Sequence, residues 1–141
     1  MITIGQINFR FHLLFCFISL ALVSLIYWPG LDAGFFLDDT TSIRDPLVMS
    51  SGGPSGIIDR YPMRAIGYLT FWVNYQWFGE SPAAFRVVNV VIHWLATLFV
   101  YVFCRRILSI QSGDHKNDVW VAGFAAIIFL VHPVQTGAVA Y

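Results

Sequence analysis

Charge is scarce in this chain. Lys and Arg number 8, Asp and Glu 8, so only 11% of the 141 residues are charged. A soluble domain carries roughly a quarter, so an ordinary soluble fold is excluded. The net charge is zero and no long basic run exists, which excludes a nucleic-acid binder. The two cysteines, Cys16 and Cys104, both fall inside apolar runs. They read as small core residues, and a disulfide scaffold is excluded. No internal repeat or low-complexity tract is visible. What is abundant is apolar surface, 57% hydrophobic and 17% aromatic residues. That composition predicts an all-α membrane protein whose first partner is the lipid bilayer.

A membrane helix needs about 20 mainly apolar residues, and three segments qualify. Residues 1–28 contain a short N-terminus and the first span, FHLLFCFISLALVSLIYW from Phe11 to Trp28. Its apolar run is longer than a signal-peptide core and ends in Tyr27-Trp28-Pro29-Gly30, so it reads as an uncleaved anchor. The second span covers 83–107 and closes on Arg105-Arg106. The third, 119–141, carries His132-Pro133, and the chain stops inside or at the end of that apolar stretch, which suggests a truncated chain.

Arg105, Arg106 and Lys116 crowd the 108–118 loop, and Arg10 precedes the first span. By the positive-inside rule the N-terminus and this loop are cytoplasmic, and the 29–82 loop is external. Within that loop, 47–60 (LVMSSGGPSGIIDR) is rich in Ser, Gly and Pro and predicts an irregular, mobile stretch. Residues 62–78 (PMRAIGYLTFWVNYQWF) predict an interfacial helix opened by Pro62 and anchored by Trp72, Tyr75 and Trp77. A fourth span over the same residues is the rival, and it conflicts with the charge rule.

Four groups of residues are candidates for chemistry. Asp38 and Asp39, in FFLDDTTSIRDP, lie about ten residues beyond the first span. Phe35, Phe36 and Leu37 would hold them against the bilayer. Two adjacent carboxylates near low dielectric call for a cation, a metal or a proton-accepting task; a solvated turn is the plain alternative. Arg60 and Arg64 share their face of the membrane. Arg86, Asn89, His93 and Thr97 recur at helical spacing as one polar stripe. Lipid cannot satisfy such groups, so the stripe faces either a wet site or another helix, and three helices supply partners poorly. His132 lies about 20 Å along the third span, and Pro133 should kink or end the helix there.

Three stretches carry a resemblance: FFLDDTTSIRDP, RYPMRAIGYLTFWVNYQWFGESPAAFRVVNVVIH and FLVHPVQTGAVAY. Together, over about residues 25–141, they resemble the start of GT-C-fold membrane glycosyltransferases that use polyprenyl-phosphate sugars. The closest likeness is to the transmembrane O-mannosyltransferase-like proteins bearing tetratricopeptide repeats, and to their bacterial relatives. The resemblance implies a partial GT-C fold with the acidic pair in the active site. It implies that Asp38 or Asp39, with Asp38 preferred, removes the proton of an acceptor hydroxyl on a protein or glycan. It further implies that Arg60, Arg64, Arg86, His93 and His132 bind the substrate or its lipid phosphate. No cofactor is required by it; a divalent metal, if present, would sit on Asp38 and Asp39. The family often has His where Arg86 stands and Glu where Gly137 stands, so an acidic group near the site is missing here.

The expectation is therefore the N-terminal part of a membrane glycosyltransferase, with mannose a candidate sugar, inactive by itself. The bacterial inner membrane is favoured over the endoplasmic reticulum. The alternative is a small non-catalytic three-helix protein packing on a partner through the Arg86–Thr97 stripe. A transporter fragment has less support, because the acidic pair lies in a loop and not in a broken helix.

Overall fold

A computed structural model describes residues 4–31, 33–34, 53–111 and 115–139, and among these there are helices and no strand. Helix α1 runs Ile4–Tyr27, and Trp28–Gly30 forms a 3-10 turn behind it. Pro29 cannot donate to a continuing helix, which is why α1 stops there. Helix α2 is Gly53–Arg60, a 3-10 turn covers Pro62–Arg64, and α3 is Ala65–Phe78. Helix α4 is Pro82–Gln111 and α5 is His115–Val131. A 3-10 turn at Pro133–Gln135 and the short α6, Thr136–Val139, follow.

Two helical stretches are long and apolar enough to cross a membrane alone, Phe9–Gly30 with 22 residues and Pro82–Ile110 with 29. At 1.5 Å per residue they reach about 33 and 44 Å, against a hydrocarbon core of about 30 Å. The expected third span is different. Asn117–Val131 is about 22 Å long and qualifies only together with Pro133–Val139, from which it is bent by 49°. The outward side chains fit a lipid contact: Phe17, Leu25, Phe99 and Phe124 are all exposed. Helix α3, at 14 residues, reaches about 21 Å, too short for the rival fourth crossing.

The chain divides into two compact units, one of residues up to Pro29 with Asn89–Val139, the other from Gly30 to Val88. In the first, α1 packs along α5. Phe15, Tyr101, Ala122 and Ala126 form its core, with Phe11, Leu98, Cys104 and Ile127 around them. Small residues make the approach possible: a Cβ on Gly123 would lie 3.5 Å from Cζ of Phe11 and 3.7 Å from Cδ2 of Phe15. Phe15 and Tyr101 stack at 4.3 Å between centroids.

In the second unit α2 packs on α3. The irregular stretch expected over 47–60 is thus a helix from Gly53 onward; 47–52 lie outside the described residues. The physical reason is that Gly53 takes φ +79°, Pro54 pre-sets the first turn, and Ile57 is fully buried. One apolar anchor outweighs a composition that favours turns. The predicted helix over 62–78 is present, its first residues tightened into the 3-10 turn. Gly79, at φ +61°, ends α3 and donates its N–H to the Tyr75 carbonyl, as a C-terminal glycine does.

Candidate functional site

The polar stripe of α4 faces inward. Arg86, His93 and Thr97 are buried and Asn89 is half-buried. A charged or polar group in that position needs hydrogen bonds, and the chain itself provides them for three of the four. The Thr97 hydroxyl donates to the His93 carbonyl at 2.9 Å. The expectation that three helices would serve this stripe poorly is corrected on that account, because backbone carbonyls are the acceptors.

His93 and His132 act on the same break in α5. His132 has φ −65° and ψ 127°, an extended conformation that interrupts the helix before Pro133. In an unbroken helix the Leu130 carbonyl would accept from the Val134 N–H, four residues on. Here the Val134 N–H donates instead to Nδ1 of His132 at 3.2 Å. The Leu130 carbonyl is left open, and Nε2 of His93 lies 3.1 Å from it. A carbonyl only accepts, so Nε2 of His93 carries a proton; Nδ1 of His132 accepts, so it carries none. Each tautomer follows from its partner. The edge of Tyr27 meets the His93 ring at 6.0 Å, and its hydroxyl is hydrogen-bonded with Thr136. The end of α1 is thereby joined to the His-Pro break.

In the other unit, Arg86 reaches the chain just past the Trp28–Gly30 turn. Its Nη1 donates to the carbonyls of Leu31, at 3.2 Å, and Ala33, and Nη2 donates to Gly34 at 2.7 Å. Arg60 ends α2 with its guanidinium 5.9 Å from the Tyr61 ring centroid, and Arg64 closes the next 3-10 turn; both are exposed. Asp38 and Asp39 lie outside the described residues, as does the metal expectation that rests on them. Among the described residues no three His, Cys, Asp or Glu side chains gather as metal ligands. Gly137 has open space where a Cβ would stand, so packing does not impose glycine at the position where the resembled family has Glu.

Sequence reasoning passed over two polar pairs in the first unit. Nδ1 of His12 and the Tyr101 hydroxyl lie 2.6 Å apart, and the Trp94 indole donates to Oγ of Ser19 at 3.1 Å. Each joins α1 to α4 across more than seventy residues of sequence, so no local motif announces it. In α3, Nε1 of Trp72, expected as an interfacial anchor, and Oδ1 of Asn74 are buried with no hydrogen-bond partner among the described residues.

Comparison with known proteins gives one consistent name. The chain is 31% identical over 138 residues to a protein O-mannosyl-transferase of Caenorhabditis elegans, covering 87% of this chain and 19% of that protein. It is 32% identical over 148 residues to protein O-mannosyl-transferase Tmtc2 of Drosophila melanogaster, covering 94% of this chain and 15% of that protein. Against human protein O-mannosyl-transferase TMTC3 the identity is 27% over 131 residues, covering 83% of this chain and 13% of the relative. The chain therefore spans less than a fifth of the length of these relatives. No family model matches it, and no solved structure matches it.

Proposed function

We propose that this chain forms the acceptor-activating part of a membrane glycosyltransferase that moves a sugar, mannose first among candidates, from a polyprenyl-phosphate donor to a hydroxyl group. The observation that carries the reading is the similarity above, which covers 83–94% of this chain in the three relatives named. A lipid-phosphate sugar brings its own leaving group. The protein has to orient the acceptor, take one proton and balance the charge of the departing phosphate. Asp38 is assigned the proton, with Asp39 beside it. Arg60 and Arg64, both exposed, are assigned the phosphate. The GT-C fold belongs to the same proposal.

The protein's two long apolar helices mark it as a membrane protein. Its named relatives are from animals, so the preference for a bacterial inner membrane draws no support from them. The rival reading, a non-catalytic protein packing on a partner, leaned on an unsatisfied stripe, and Arg86, His93 and Thr97 have hydrogen bonds within the chain.

The test is Asp38→Asn in the full-length protein. The exchange keeps size and loses the base. Sugar transfer should fall by about 100-fold or more, the scale of a positioned general base, while membrane insertion is unchanged. Transfer at the parent rate would overturn the assignment.

A further inference from the structure

We propose that Arg86 is a positioning residue that ties down the chain over 31–34, just ahead of the acidic pair in sequence, and that it is not a ligand of the donor phosphate. The proposal rests on the catalytic reading of Asp38 but uses different observations.

The segment just after α1 has lost the helical ladder, so its carbonyls need other partners. Arg86 supplies them for Leu31, Ala33 and Gly34. The two carbonyls on Nη1 and the one on Nη2 occupy at least three of the five N–H donors of a guanidinium. The side chain making these bonds is 8% exposed. A buried planar fork bound to three carbonyls is a rigid tie, and a phosphate would have to displace acceptors already in place. The ammonium of a lysine has no such fork and cannot reproduce its geometry.

The chain places the consequence near the chemistry. Asp38 is four residues beyond Gly34, so its Cα stands within about 14 Å of that of Gly34 at full extension. The proposed base therefore lies only four residues along the chain that the tie holds. Misplacement of about 1 Å can cost a reaction about 100-fold. Loss of Arg86 should therefore lower kcat, whereas loss of a phosphate ligand should raise the donor KM.

The experiment uses the full-length protein with a nitroxide spin label on Ala33→Cys, an exposed position. In Arg86→Met the label's spectrum should sharpen as the segment is released, and kcat should fall by about 100-fold with the donor KM unchanged. Arg86→Lys, which keeps the charge and so guards against a folding failure, should lie between parent and Arg86→Met in both readouts. An unchanged spectrum in both variants overturns the tie. A donor KM raised tenfold with kcat unchanged overturns it in favour of phosphate binding. The spin-label arm needs no turnover, so it stands or falls separately from the catalytic role of Asp38.

Discussion

Replacing His93 should cost stability for a reason that a second substitution can remove. In His93→Leu the buried Leu130 carbonyl loses the ring N–H that lies 3.1 Å away, while most of the apolar contact with Tyr27 and Phe129 is kept. An unsatisfied buried carbonyl costs roughly 1–3 kcal/mol. Hydrogen bonds between membrane helices average nearer 0.6 kcal/mol with a maximum of about 1.7. The Leu130 residue is fully buried, so the upper part of that membrane range applies and we expect about 1–1.5 kcal/mol. The Leu130 carbonyl is open only because Pro133 breaks α5 and turns the Val134 N–H to His132. In Pro133→Ala the ring clash with the preceding turn is gone, the helix can continue, and the Val134 N–H can return to Leu130. The cost of His93→Leu should then shrink by at least about 0.5 kcal/mol, a coupling of the size found for residues sharing a partner. The assay is reversible SDS unfolding of the protein in mixed micelles, followed by tryptophan fluorescence, for the parent, both single variants and the double. Equal costs of His93→Leu with and without Pro133 would refute the account of the break.

Two further outcomes follow from the packing of α1. Gly123→Leu should destabilise by about 1–3 kcal/mol, the usual penalty of overpacking. Gly123→Ala should be nearly neutral, since its Cβ meets Phe11 and Phe15 at 3.5 and 3.7 Å; the same unfolding assay separates them. Tyr101→Phe keeps the stack on Phe15 and removes the hydroxyl 2.6 Å from His12, so it should cost about 1 kcal/mol. A double substitution with His12→Leu should add little more, because one bond is lost only once.

The apolar spans, the inward stripe and the break at His132-Pro133 were legible because each is a periodic or punctuating signal carried by side chains. The helix over 53–60 was not, since its Gly-Pro-Ser-Gly start reads as a turn. Burial of Ile57 is a tertiary fact that no local window contains. The third span was half-legible: the apolar length is there, but the 49° bend makes it two helices. The partners of Arg86 and His93 were invisible for another reason. They are backbone carbonyls, which every residue carries, so no residue type marks them.

That invisibility left the stripe open to two readings, a wet site or a contact with another helix. Buried polar groups on a membrane helix imply acceptors, and from sequence alone the acceptors imagined are other side chains, metals or substrates. Helix ends offer a third source, because each leaves carbonyls without an intrahelical donor. Arg86 meets carbonyls of the chain beyond the Trp28–Gly30 turn, and His93 meets the one exposed by the break in α5. Both are donors with protons to give to a carbonyl, which is the chemistry a helix end lacks. A carboxylate could serve neither place, since it has no proton to offer when ionised. It follows that the acidic pair at 38–39 cannot be assigned the structural task that accounts for Arg86 and His93. Whether it takes a proton, as proposed, is what the Asp38→Asn variant measures.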